Sequence, residues 1–451
     1  LLEHSEEGGL PGAQPTTYKA VEVLGATDAW ELGVNGSGVS IAVIDTGVDF
    51  GSSDLGLEAI ARDAEGRPLV IDADAIGLVL TPIEAYVNET GYISIELPEE
   101  GLPVYLFGFI TFRETGFVFL CLRDYGCANV EFPLEEFYVG DIRSKDGRFK
   151  FGLAAQLVLL APRGFIVYTA PSALADTDGD GSYDTAVIDL STTWYYIQTA
   201  FSILGVMEEP DEALRDFSFA DEPLLSYGNE IAARDFNGDG VNDFSMGSLA
   251  GWVYDIWGVI EAAPFIGTLD WLNAWEFVGT LHPGLDPDGN YFDLLYDFHS
   301  HGTSCAHVAA SRGVVPRPLG YGEVFYRLKG IAPGAKLGAA PALWWGDVIT
   351  AELFLSGFDL KDQPWVWEFT GRHRVDVISN SWGASWLVLI GAGNDADPLT
   401  LFENYISAVS GTLIVHAVGN GGPGWGTVTM PGSAANVLSV GASTLFAYRP
   451  Y

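Results

Sequence analysis

Val39-Ser40-Ile41-Ala42-Val43-Ile44 is an almost continuous apolar run that stops at Asp45-Thr46-Gly47. Nothing else in the chain constrains its fold so tightly. A run without polar alternation marks a strand covered on both faces, the setting of a parallel sheet between layers of helix. The polar turn then falls at the strand's carboxyl end, where open α/β sheets assemble their sites. The same style returns from about residue 291. Gly302–Ser311 reads as a buried small-residue helix, Val375–Ser379 as a strand and Leu399–Val409 as a helix. Leu413–Val418 reads as a strand ending in Gly419-Asn420, and Val437–Val440 as another.

The stretch between is written differently. Tyr92–Leu97 and Gly116–Leu122 are short alternating or aromatic segments, and turn residues punctuate the region at short intervals. That pattern predicts antiparallel β structure, with one helix around Thr192–Val206. Residues 1–20 are polar and rich in Gly, Pro and Thr, which predicts an extended arm, and Asp28–Leu32 suits a short helix. The expected organisation is an α/β fold in three parts. Residues 1–55 hold the arm and the start of a parallel core, 56–290 a large β-rich insert, and 291–451 the rest of the core.

Composition narrows the function. Of 451 residues, 48% are apolar and 18% charged, enough for a large buried core. Asp and Glu number 60 against 21 Lys and Arg, a net charge of −39. Such a surface repels phosphate backbones, which argues against a nucleic-acid partner, and it attracts divalent cations. Cys121, Cys127 and Cys305 are too few for a disulfide framework. Cys121 and Cys127 either close one small loop or remain buried thiols. The chain begins at Leu1 with no signal-peptide pattern, as a processed N-terminus does. Apolar runs such as Leu153–Ala161 are too short to span a bilayer. Asn35-Gly36-Ser37 and Asn88-Glu89-Thr90 fit the glycosylation acceptor pattern and lean toward export.

Three segments carry chemistry: Ile41–Asp49 around Asp45, His301-Gly302-Thr303-Ser304-Cys305-Ala306, and Val415-His416-Ala417-Val418-Gly419-Asn420. A serine that attacks a peptide carbonyl needs a base for its proton, a carboxylate to fix that base's tautomer, and a donor for the developing oxyanion. Asp45 at a strand end, His301 at a helix start and Asn420 after a strand supply the carboxylate, the base and the donor. Taken singly, each also fits a plain structural role: a turn-capping carboxylate, a helix-start histidine, a turn asparagine.

In order and context the three resemble the aspartate, histidine and oxyanion-asparagine motifs of the subtilases, the subtilisin-like serine peptidases. Gly330–Leu337 resembles the family's segment leading into the next core strand. Val377-Ile378-Ser379-Asn380-Ser381-Trp382-Gly383 resembles its substrate-pairing strand. The resemblance covers residues 21–55 and about 291–445. It implies a subtilisin-like parallel sheet with flanking helices and a polypeptide substrate. It further implies catalytic Asp45, His301 and Asn420, and substrate pairing along Ser381, Trp382 and Gly383, with Trp382 available to large apolar side chains. Between Asp45 and His301 the sequence position advances by 256 (301 − 45). That layout resembles the large pyrolysin-like and tripeptidyl peptidase II-like subtilases, particularly archaeal cell-surface members.

Two motifs are decoys. Gly302-Thr303-Ser304 mimics the family's nucleophile motif, but it directly follows His301, so Ser304 reads as structural. Ala392-Gly393-Asn394 mimics the oxyanion motif, but too little chain separates it from Ser381 for the intervening helix. The nucleophilic serine is therefore expected outside residues 1–451, on a C-terminal segment or a second chain. The competing reading is a non-catalytic scaffold or surface-layer component of the same fold. A zinc site built from His299, His301, Cys305 and His307 is a third, and it leaves Asp45 and Asn420 unused.

The insert carries two near-identical acidic patterns. Asp176, Asp178, Asp180 and Asp184 stand at positions 1, 3, 5 and 9 of one segment, and Asp235, Asn237, Asp239 and Asp243 at the same positions of another. Alternating oxygen ligands around glycine wrap a hard cation, which predicts Ca2+. Val187 and Met246 stand where an EF-hand has its glutamate, so neither loop is a complete EF-hand. Asp286-Pro287-Asp288-Gly289-Asn290 with Asp293 is a weaker third run. Calcium and the export signals together point to an extracellular or cell-surface setting.

Overall fold

The computed structural model describes residues 16–443, apart from 75–76, 82, 95–101, 107–109, 115, 123–125, 132–136, 140–143, 160–163, 204, 206, 249–255, 258–278, 281–287, 296, 298, 319–324, 343–344, 362–365, 384–396 and 423–425. The chain divides into two units, one of residues 1–71 with 300–451, the other of residues 72–299. The division falls at 71/72 and 299/300, not at the 55/56 and 290/291 read from sequence style. Residues 57–71 stay with the first unit because they bridge its sheet, Ile60 to Leu337 and Val70 to Ala339.

The first unit is built on five parallel strands. They are β1 (Ser40–Asp45), β2 (Lys336–Pro341), β3 (Val377–Asn380), β4 (Leu413–Ala417) and β5 (Leu438–Val440), in the order β2-β1-β3-β4-β5. The apolar run of β1 is explained by its central place. Ala42, Val43 and Ile44 are all at most 1% exposed, which requires cover on both faces. Helices α1 (Thr16–Val23) and α2 (Ala26–Glu31) precede β1, and α3 (His301–Ala310) precedes β2. Helix α4 (Trp345–Leu355) joins β2 to β3, and α5 (Pro398–Ser410) joins β3 to β4. Parallel neighbours require such crossovers.

The expected extended arm is corrected from residue 16 onward. Thr16–Val23 is helical and buries Val21, an apolar anchor that the polar composition concealed. Helix α4 had no counterpart in the sequence reading. Helix α5 starts on Asp397, whose carboxylate accepts from the Thr400 amide, and stops on Gly411 in the left-handed region.

The second unit is antiparallel, as its alternation predicts. A long hairpin pairs Arg148–Leu159 with Gly164–Ala175 at the centre of an eight-stranded sheet. Helix Leu190–Ile203 covers it, over a core that includes Phe137, Phe149, Phe151 and Phe219. Cys121 and Cys127 are backbone partners in adjacent strands, while their side chains lie outside the described atoms. Among the described residues no helix is long and apolar enough to cross a membrane.

Candidate active site

Asp45 ends β1 with its carboxylate 3% exposed, and His301 begins α3 with its ring 49% exposed. His301 Nδ1 lies 2.7 Å from Asp45 Oδ1. A carboxylate only accepts, so Nδ1 carries the proton and Nε2 is left as the basic nitrogen. The Thr46 amide donates to the same Asp45 oxygen at 2.8 Å, fixing its direction.

The helix is held tightly against the strand end. The Gly302 amide donates to Thr46 Oγ1 at 2.9 Å, and the Asp49 amide donates to Thr303 Oγ1 at 2.9 Å. A Cβ on Gly302 would stand 2.1 Å from the Gly47 carbonyl oxygen, so glycine is what allows this approach. Just before the helix, Ser300 sits in the left-handed region at φ 64°, a conformation that costs a non-glycine residue about 1–2 kcal/mol. The Ser304 hydroxyl donates to the Ser300 carbonyl oxygen at 2.7 Å.

Cys305, one turn on, places Sγ 3.9 Å from His301 Nδ1 and 4.0 Å from Asp45 Oδ2. His307 is engaged elsewhere, its Nε2 2.9 Å from Ser52 Oγ.

β3 and β4 end at the same carboxyl edge as β1. Ser381-Trp382-Gly383 follows β3, and Val418-Gly419-Asn420 follows β4, leaving Asn420 exposed. Thr429 lies against both segments: a Cβ on Gly383 would meet its Oγ1 at 2.4 Å, and one on Gly419 its Cγ2 at 2.4 Å. Trp382 is half-buried. Its indole meets the His416 ring edge-on at 4.9 Å and packs on Leu399 and Met430. The second oxyanion-like asparagine, Asn394, lies outside the described residues.

The acidic loops of the second unit are alike in backbone setting as well as in sequence. Asp176–Asp184 connects two antiparallel strands whose last pair is Ala175 with Thr185. Asp235–Asp243 connects two others whose last pair is Arg234 with Phe244. In each, the first aspartate accepts amides from the residues three and five further on: Gly179 and Gly181 for Asp176, Gly238 and Gly240 for Asp235. One oxygen each from Asp176, Asp178 and Asp180 lies within 4.8 Å of the others. Burial, then the charges of Asp178 and Asp180, raise the Asp184 carboxyl above its usual range. Asp243 accepts from the amides of Phe236 and Asn237 and from the Asn237 side chain. In the third acidic run, Asp286 lies outside the described residues. Asp293 is buried in strand Tyr291–Leu295, where it helps burial push Asp72 up to about 8.

A polar cluster that sequence reasoning missed lies on the other face of the core sheet: Glu352, Asn380, Glu403 and His416. The only sequence signal was a glutamate inside otherwise apolar helical stretches.

These features define a subtilisin-like α/β core with a β-rich insert between the aspartate and histidine motifs. The subtilase family model matches residues 36–445, and the chain belongs to that family of serine peptidases. Among curated proteins it is similar to Pyrolysin of Pyrococcus furiosus, 25% identical over 472 residues, covering 99% of this chain and 27% of Pyrolysin. The chain thus spans about a quarter of that relative's length. Among solved structures it is similar to tripeptidyl peptidase 2 (TPP II), with a TM-score of 0.43 and 12% identity over 94% of this chain and 29% of the other.

Proposed function

We propose that the complete protein is a secreted serine endopeptidase that cleaves polypeptides with Asp45, His301 and Asn420. The observation that carries this is the 2.7 Å Asp45–His301 pair at the carboxyl edge of the sheet. His301 Nε2 takes the serine proton and later returns it to the leaving amine. Asp45 holds the tautomer and stabilises the imidazolium, and the Asn420 amide donates to the oxyanion. Ser381–Gly383 pairs with substrate backbone. With Ser304 bonded back to its own helix, the reading assigns the nucleophile to a serine outside residues 1–451. A fluorophosphonate probe is expected to label the complete protein at such a serine. Labelling of Ser304 would overturn the assignment.

Ca2+ in the two acidic loops belongs to the same proposal. Supporting it are their matched hairpin positions, matched amide contacts and crowded carboxylates, which fit a hard cation. Asp176, Asp178, Asp180 and Asp184 would hold one ion, and Asp235, Asn237, Asp239 and Asp243 the other. Bound calcium would neutralise the crowding and stabilise the insert against unfolding. Such an insert suits a cell-surface or extracellular location, with surface-layer association as one form of it.

A further inference from the structure

We propose that Asn380, Glu352, Glu403 and His416 form a buried proton-sharing network that positions Ser381–Gly383 and the turn to Asn420 for substrate. The proposal rests on the peptidase reading above and concerns positioning residues, since none of the four touches the reacting atoms.

The register places the cluster. Ile44, Asn380 and His416 lie in one row across β1, β3 and β4. They leave the sheet on the face opposite to Asp45, because successive side chains alternate. On that face α4 brings Glu352 and α5 brings Glu403. Asn380 Nδ2 donates to Glu352 Oε1 at 2.8 Å and lies 2.8 Å from His416 Nε2. The same Nε2 lies 2.8 Å from Glu403 Oε1 and 3.9 Å from Glu352 Oε1. The side chains of Glu352, Glu403 and His416 are 0% exposed.

The four residues stand where the candidate site needs rigidity. Asn380 directly precedes Ser381, and His416 lies one helical turn's worth of chain before Asn420. The His416 ring bears edge-on against Trp382, at 89°. A rotation of that ring moves the middle residue of the substrate segment. Thr429, wedged against Gly383 and Gly419, passes the displacement between the two segments.

The charge state follows from burial. Desolvation pushes Glu403 up to about 9, with Asp397 at the start of its own helix adding to the rise. Desolvation and then the Glu403 charge raise Glu352 well above its usual range. Desolvation pushes His416 down to about 4. The charged and titratable groups facing Glu403 are thus Glu352 from α4, His416 from β4 and Asp397 from α5, with the uncharged amide of Asn380 from β3. Burial thus favours the protonated forms of both Glu352 and Glu403 and the neutral form of His416. A raised acid makes stability fall as pH rises from about 4.5 through about 9. A depressed histidine makes stability fall as pH drops from about 6.5 through about 4.

The test uses the complete protein, with active sites counted by fluorophosphonate titration so that misfolded molecules drop out. Glu403→Ala is expected to lower kcat/KM by at least about tenfold on peptides filling several positions before the scissile bond, and by less on a short ester. Only the former pair with Ser381–Gly383. Glu403→Gln keeps a neutral hydrogen-bonding group, so it is expected to restore kcat/KM to within about threefold at pH 7. The wild type is expected to lose long-peptide activity above about pH 9, and Glu403→Gln to be free of that loss. Equal losses on both substrates, or an unchanged alkaline limb in Glu403→Gln, would overturn the network. So would a stoichiometric transition metal that leaves with Glu403→Gln, since the cluster would then be a metal centre. A wild type that neither hydrolyses peptides nor takes the probe sinks the peptidase reading itself, which is a separate result.

Discussion

Asp45 is nearly sealed from solvent while its partner His301 is half exposed, and that asymmetry matches a fixed orienter with a working base. Each side chain of the candidate site therefore has a distinct expected cost. In the complete protein, Asp45→Asn leaves the fold in place but presents His301 with a donor instead of an acceptor. The ring then takes the wrong tautomer, and kcat is expected to fall on the order of 10⁴-fold. Asn420→Ala removes one donor from charge that exists only in the transition state. Its loss is expected to be about 10²–10³-fold, in kcat and not in KM. Steady-state kinetics on a single peptide separate the two. Equal effects on kcat and KM for Asn420→Ala would argue that it binds ground-state substrate. These residues were readable from sequence because each is a short polar interruption of an apolar element. For Trp382 the sequence shows that a large ring stands beside the candidate substrate segment, but not that it packs edge-on against His416.

At the scale of elements, the docking of α3 on β1 creates the site. The contact is possible because Gly302 lacks a Cβ, which would stand 2.1 Å from the Gly47 carbonyl oxygen. Gly302→Ala must push the helix start outward and lengthen the His301–Asp45 hydrogen bond. The expected outcome is a loss of at least about 10²-fold in kcat, together with a lower Tm. Normal kinetics in that variant would mean that the helix tolerates the shift. Strands β1, β3 and β4 and helices α3 and α5 were legible, because burial on both faces or one apolar stripe leaves a periodic signature. Helix α4 was not, since Trp345–Leu355 is apolar almost all round and helical periodicity is lost in such a stretch. Likewise Val21 anchors α1 although the sequence around it reads as a polar arm.

Across the whole molecule, a net charge of −39 must be carried by a fold that crowds several carboxylates into two hairpin loops. Bound cations reduce that repulsion, and ligand that binds only the native state adds about 2.7 kcal/mol per site at a hundredfold excess over Kd. Chelation is therefore expected to lower Tm by several degrees, and added Ca2+ to restore it. Asp176→Asn and Asp235→Asn should each reduce the chelator response, and the double variant should abolish it. A melting curve indifferent to chelator would remove calcium from both loops.

The sequence by itself determined the parallel core, the antiparallel insert, the order of the candidate catalytic residues and the twin acidic loops. Each of these is written in contiguous residues, as a run, an alternation or a ligand spacing. Tertiary structure alone decided that Glu352, Asn380, Glu403 and His416 meet, that Trp382 packs edge-on against His416, and that Thr429 joins the ends of β3 and β4. Those groups come from separate elements, and no local pattern records them. They meet because parallel neighbours in one sheet align Asn380 with His416 while the crossover helices α4 and α5 lay their glutamates over that row.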